Sequence, residues 1–161
     1  MSSKVIATLS VPGFEVESWL MNGEILHRIR IVGRVGLKER LPMYQSTLEI
    51  NRAHGKMTYF CVLDNQDRHE NTMSFEDIKQ LDQMLLENGV TEFFGATITT
   101  DVAYASLVSL ADASSKAADI GGELMATSVP AEAEVFILEK IAAHASCSIS
   151  APSPNDGKTS A

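Results

Sequence analysis

The sequence predicts an α/β domain built on one mixed sheet of about five strands flanked by helices. Three observations carry that reading. From Met57 onward, short β-rich apolar runs alternate with helical runs. Asn22-Gly23 joins two strand-like runs before the first helix. The chain has 161 residues and is 45% hydrophobic, which suits one domain around one core.

The elements follow in order. In "EVESWLMNGEILHRIRIVG", Asn22-Gly23 supplies the two positive φ angles of a type I′ turn, so the run reads as a β-hairpin. In "HRIRIVGR" (His27–Arg34) the charges alternate with apolar residues, as on one solvated strand face. "LPMYQSTLEINRAHG" reads as a helix with Pro42 near its start and Gly55 just past its end. "MTYFCVL" (Met57–Leu63) is apolar on both faces, as a strand covered by helices on both sides must be. "SFEDIKQLDQMLLENG" sets Phe75, Ile78, Leu81 and Leu85 on one helical face and stops at Gly89. "EFFGATI" is the next strand. "DVAYASLVSLADASSKAADIGG" is a helix with Asp101 as N-cap and Gly121-Gly122 as its stop. "ELMATSV" is a further strand, and "PAEAEVFILEKIAAHA" a last helix opened by Pro130. The expected order is thus a hairpin followed by α-β-α-β-α-β-α. Met57–Leu63, Glu92–Ile98 and Glu123–Val129 are expected to be parallel and largely buried. The domain is expected over residues 1–146. Residues 147–161, rich in Ser, Pro and Ala, are expected to form a disordered tail.

Charge and composition narrow the function. The formal net charge is −8, with Asp+Glu 21 against Lys+Arg 13, which argues against nucleic acid and anionic membrane surfaces. No run of about 18 consecutive apolar residues predicts a membrane span. "MSSKVIATLSVPGF" lacks a secretory apolar segment with a cleavage site, so a soluble cytoplasmic protein is the expectation. His27, His54, His69 and His144 have no metal-ligand spacing with either cysteine, and neither metal nor cofactor is expected. Cys61 sits inside an apolar run and is expected to be buried, reduced and unpaired with Cys147.

The junction between Leu63 and Phe75 is the unusual feature. Connections in α/β units run roughly two to six residues, and this one is longer and polar. It delivers Asp64, Asn65, Asp67, His69 and Glu70 at the carboxyl end of a strand, where open α/β sheets collect ligands. Ser74 and Asp77 follow with the spacing of a capping box. Asp64, Asn65, Asp67, His69 and Ser74 are therefore the candidate binding residues, with Asp101 as a second candidate. Ser74 serves chiefly as a cap.

Two stretches carry a family resemblance. "GEILHRIRIVGRVGLKERLPMYQSTLEI" resembles the opening of STAS (sulfate transporter and anti-sigma-factor antagonist) domains, with Gly33-Arg34-Val35 where a strand leads into a helix. "FCVLDNQDRHENTMSFEDIKQL" resembles their signature segment: an apolar strand ending in Asp, a loop, then Ser at a helix start. "EFFGATITTDVAYASL" and "PAEAEVFILEKI" are similar to a branch grouped with CRAL-TRIO-like proteins. The resemblance spans roughly Glu15 to Ala145 and rests on the order of elements. It implies a non-catalytic regulatory module that works by protein contact, and it puts Ser74 at the position of the family's phosphorylatable serine. Met73 stands where that motif has Asp, and Phe75-Glu76 where it has Ser-Gly. Glu76 and Asp77 would crowd a phosphoryl group with like charge.

Two alternatives accompany that reading. A small-ligand or lipid-binding domain of the CRAL-TRIO-like type would use Met73, Phe75, Phe93, Phe94 and Met125 to line a cavity. A small hydrolase would use Asp64, His69 and Ser74, although no G-x-S-x-G elbow, Walker loop or G-x-G-x-x-G fingerprint is present. The small-sided helix at Ala103–Ala118 offers a flat face for a homodimer or a protein partner.

Overall fold

The computed structural model describes residues 2–150, with side chains described as far as residue 146. The elements are β1 (Ser3–Val11), β2 (Phe14–Met21), β3 (Glu24–Ile31), β4 (Val35–Gly36), α1 (Leu37–Ala53), β5 (Thr58–Asp64), β6 (Asn71–Thr72), α2 (Phe75–Glu87), β7 (Glu92–Ile98), α3 (Val102–Ala117), β8 (Gly121–Thr127) and α4 (Pro130–Ser150). The main sheet has six strands in the order β1-β2-β3-β5-β7-β8. β1, β2 and β3 form an antiparallel meander. β3, β5, β7 and β8 are all parallel. The fold is the predicted mixed α/β sheet flanked by helices, with one strand more at its N-terminal edge.

That extra strand, β1, pairs along β2 with Pro12-Gly13 in the turn and Gly13 at φ 85. At the next turn Asn22 (φ 53) and Gly23 (φ 80) take the two left-handed positions, as the type I′ reading requires. The tail expected from residue 147 lies largely outside the described residues, and α4 carries its backbone to Ser150.

Side-chain alternation sorts the sheet into two cores. Tyr59, Cys61 and Leu63 of β5 join Phe93, Ile29 and Ile31 against α1 and α2. Phe60 and Val62 join Leu26, Ala96 and Ile98 against Ala133, Ile137 and Ile141 of α4. One face thus carries α1, α2 and α3, and the other carries α4 alone. A strand read as apolar on both faces is buried on both for this reason.

Three expectations need correction. α1 begins at Leu37, so Pro42 lies inside the helix rather than at its start. Gly36 precedes it and donates its N–H to Glu39 Oε2 at 2.8 Å. Gly121-Gly122 does not stop α3. The helix ends at Ala117, Asp119 takes the left-handed turn at φ 62, and the glycines open β8. Gly122, at φ 105, has no room for a side chain, because a Cβ there would lie 2.2 Å from Phe93 O. Finally, β8 is an edge strand and half-exposed, so only β5 and β7 of the three parallel runs are largely buried. Asp112 of α3 accepts the Leu124 N–H at 2.9 Å, which blunts that edge.

His27 also departs from its reading. Arg28 and Arg30 face outward, but His27 is fully buried with Ile25 and Ile29 beneath α1. At the far end of the sheet, His144 of α4 contacts Glu24 Oε1 at 3.1 Å and Thr58 Oγ1 at 3.0 Å, tying α4 to β3 and β5.

Candidate functional site

The polar junction is a folded loop. Asn65 is fully buried, and its N–H donates to Ile98 O at 2.8 Å. Its side chain grips the next turn: Nδ2 donates to His69 O at 3.1 Å, and Oδ1 accepts the His69 N–H at 3.0 Å. Arg68 adopts φ 57 to close this turn. The chain then runs beside the start of α1, where Val35 N–H donates to Glu70 O at 3.0 Å and β6 pairs in parallel with β4. Gly36 makes that approach possible, since a Cβ there would meet Thr72 Oγ1 at 2.7 Å. The junction is long because it builds a two-stranded sheet clamping the start of α1 to the start of α2.

The candidate residues do not converge on one point. Asp64 accepts from Gln66 N–H at 2.9 Å and from Gln66 Nε2 at 3.0 Å. Asp67 pairs with Arg30 at 3.0 Å, which raises the Arg30 pKa. Asn65 is consumed in holding the loop. Ser74 Oγ accepts the Asp77 N–H at 3.1 Å while Asp77 Oδ2 accepts the Ser74 N–H at 3.0 Å, a complete capping box. Asp101 accepts the Ala103 N–H at 3.0 Å, the N-cap of α3. Among the described residues no hydrogen bond joins Asp64, His69 and Ser74, so these three do not form a triad. Asp64 lines a shallow groove on the α4 side of the sheet with Glu15, Glu17, Arg28, Arg30 and Glu134. Arg28 donates to Glu134 at 2.5 and 2.8 Å there, holding the Glu134 carboxyl below its usual range.

On the other face lies a small cavity of about 100 Å³ between the sheet and α1, α2 and α3. Its floor is Cys61, Leu63, Phe93, Gly95 and Thr97 of β5 and β7. Tyr44 lines it from α1, Ile78, Leu81 and Leu85 from α2, and Tyr104, Leu107, Val108 and Ala111 from α3. Gly95 keeps the floor low, for a Cβ would meet Leu124 Cδ2 at 3.0 Å and Cys61 Sγ at 3.2 Å. Met73, Leu81, Leu107 and Ala111 are only half-buried and set its mouth between α2 and α3. Of the apolar residues expected to line a cavity, Met73 and Phe93 do so. Phe75 is exposed, and Phe94 and Met125 pack on the α4 side. Burial pushes the Cys61 thiol up to about 12, so it is an inert wall group.

Arg40 also lines this cavity and was not among the sequence candidates. It is 4% exposed, with its guanidinium 5.9 Å from the ring centroids of both Phe14 and Tyr104. Nη2 donates to Asn71 Oδ1 and, at 3.2 Å, to the Tyr104 hydroxyl. Nη1 has no partner among the described residues, and neither has Asn71 Nδ2. The one acid on the wall, Asp82, accepts from Ser114 Oγ at 2.5 Å and Ser115 Oγ at 3.0 Å.

A second polar cluster resembles a catalytic array but is closed to substrate. Ser18 Oγ lies 2.7 Å from His27 Nδ1, and His27 Nε2 lies 2.8 Å from Asn51 Oδ1. All three are buried and none lines either opening, so the cluster is a core network. Among the described residues no group of three or more His, Cys, Asp or Glu side chains could hold a metal ion, and no helix is long and apolar enough to cross a membrane. No family model, no curated protein and no solved structure matches the chain.

Proposed function

We propose that this chain is a non-catalytic binding module whose ligand is a small molecule held in the cavity between the sheet and α1–α3. The observation that carries this is the cavity's construction. It lies on the face of β5 and β7 that α1, α2 and α3 cover, has mainly apolar walls, and opens between two helices. The sequence reading sets a protein partner first and a small ligand second; the cavity favours the ligand.

The test uses apolar probes. A 1-pentanol titration of the full chain, followed by amide chemical shifts, should perturb Cys61, Gly95 and Leu107. Filling the mouth with Ala111→Phe should remove those shifts and leave the rest of the spectrum in place. Shifts absent at saturating probe, or unchanged in the filled variant, would refute the ligand reading.

The second reading keeps the regulatory protein contact that the resemblance to anti-sigma-factor antagonists implies. The groove of Arg28, Arg30, Glu15, Glu17 and Asp64 favours it, because a mixed-charge face suits a polar partner. The exposed α3 face, with Ala103, Ser106, Ser109 and Ala113, is where a second copy would pack. A mass measurement across a concentration series tests that contact, and a monomer at every concentration removes the homodimer.

A further inference from the structure

We propose that the cavity ligand is a small amphipathic acid and that Arg40 recognises its carboxylate, an inference that rests on the cavity being a ligand site. A guanidinium stays charged at any pH the protein meets. A buried charge without a counter-ion is strongly unfavourable. No carboxylate lies within ion-pair distance of Arg40 among the described residues. Its Nη2 contacts are neutral oxygens, and its Nη1 has none.

The neighbouring orphan has the same sign. Asn71 Nδ2 is a donor without an acceptor, on the residue that already accepts from Arg40. Two adjacent buried donors both require an acceptor, and the charge beside them requires that it be an anion. Water would satisfy the donors but leave the charge unpaired. Asp82 forms no ion pair with Arg40 and accepts from Ser114 and Ser115 instead. Phe14 and Tyr104 flank the guanidinium and keep solvent away, which strengthens a charge-assisted hydrogen bond.

Charge and volume set the ligand class. Among the described residues Arg40 is the one cation on the cavity wall, so a monoanion fits and a phosphate dianion does not. An engineered apolar cavity of about 150 Å³ admits benzene, and this cavity of about 100 Å³ is smaller. Scaled from benzene's six heavy atoms, a body of roughly four fits that space. The ligand is a short aliphatic carboxylate.

Pentanoate, 1-pentanol and pentylamine, matched in chain length, provide the test. Each is titrated into the full chain by calorimetry or amide shifts. Pentanoate should bind about 10- to 100-fold more tightly than the alcohol, the range expected of a charged hydrogen bond, and the amine more weakly than either. Arg40→Met keeps side-chain length between the two rings and should bring acid and alcohol to equal affinity; Arg40→Lys should retain a reduced preference. Equal binding of acid and alcohol to the unaltered chain overturns the role of Arg40 and leaves the cavity reading standing. Binding of none of the three overturns both. The comparison on the unaltered chain decides the matter even if the Met variant does not fold.

Discussion

Lowering the pH should destabilise this protein through one imidazole. His27 is fully buried, stacks on Tyr59 at 4.9 Å, and is held between Ser18 and Asn51. Asn51 offers its oxygen, since its Nδ2 donates to Thr58 O at 3.4 Å. His27 therefore carries its proton on Nε2, and Nδ1 accepts from the Ser18 hydroxyl. Protonating Nδ1 would set a charge in the core and turn that acceptor into a donor. Burial accordingly lowers the pKa from 6.5 to about 4, with the Asn51 hydrogen bond opposing only in part. The unfolded chain binds this proton between those two values while the folded chain does not, so stability is complete above about pH 6.5 and falls as pH drops toward about 4. At roughly 1.4 kcal/mol per unit, the loss is about 3 kcal/mol. Urea unfolding at steps from neutral pH to about pH 4, for the unaltered chain and for His27→Gln, isolates it. Glutamine can donate to Asn51 and accept from Ser18 but does not titrate. Carboxylates such as Glu39 and Glu134, whose pKa values are lowered by their hydrogen bonds to Gly36 N–H and Arg28, titrate in both chains and cancel in the difference. Parallel stability profiles for the two proteins, or a native His27 ring titrating near its ordinary value, would refute the reasoning.

Other perturbations follow from single contacts. Ser74→Ala should lower stability by about 1 kcal/mol in a chemical unfolding curve, while Ser74→Asp, an equally good cap, should be nearly neutral. Asp67→Ala with His69→Ala should leave stability within about 0.5 kcal/mol, because Asp67 makes only an exposed ion pair and Asn65 holds His69 through its backbone. Gly122→Ala should be strongly destabilising, since φ 105 and the contact with Phe93 O both exclude a Cβ; a melting temperature equal to the parent's would contradict this. Cys61 should resist thiol reagents in the native protein and form no bridge to Cys147, which non-reducing mass analysis can check.

Much of the fold was legible because burial patterns repeat. β5 and β7 announced themselves by apolar residues on both faces, and Asn22-Gly23, Ser74 and Asp101 each took the turn or cap position their chemistry suits. β1 carries a weaker signal, with only Pro12-Gly13 to mark its turn. The site is less legible, and Pro42 is the reason. A helix starting there puts Arg40 in a connecting segment. With α1 beginning at Leu37, Arg40 falls at i of the inward stripe Met43, Tyr44, Thr47, Leu48 and Asn51, at spacings of 3, 4, 7, 8 and 11 residues. A cation on that stripe is a buried charge by position alone. That Asn71, 31 residues away, would take its Nη2 while its Nη1 keeps no partner among the described residues is carried by no local pattern.

The loop and the cavity, which the sequence presents as separate features, act on one another. Asn65 folds the junction back so that β6 pairs with β4, and that pairing sets Asn71 beside Arg40 and leaves Met73 at the cavity mouth. A shorter connection from β5 to α2 could cap the helix equally well through Ser74, but it would not carry the strand that supplies Asn71. Length in the junction therefore serves the wall of the cavity. Half-buried Asp64 and exposed Asp67 face the opposite side, toward the α4 groove and Arg30. One loop thus contributes to both openings. A ligand that engaged Arg40 would load its hydrogen bond to Asn71 and so β6, and through Asn65 the segment that carries Asp67. Amide shifts at Asp67 on ligand binding would reveal that coupling, and their absence would confine the ligand's effect to the cavity.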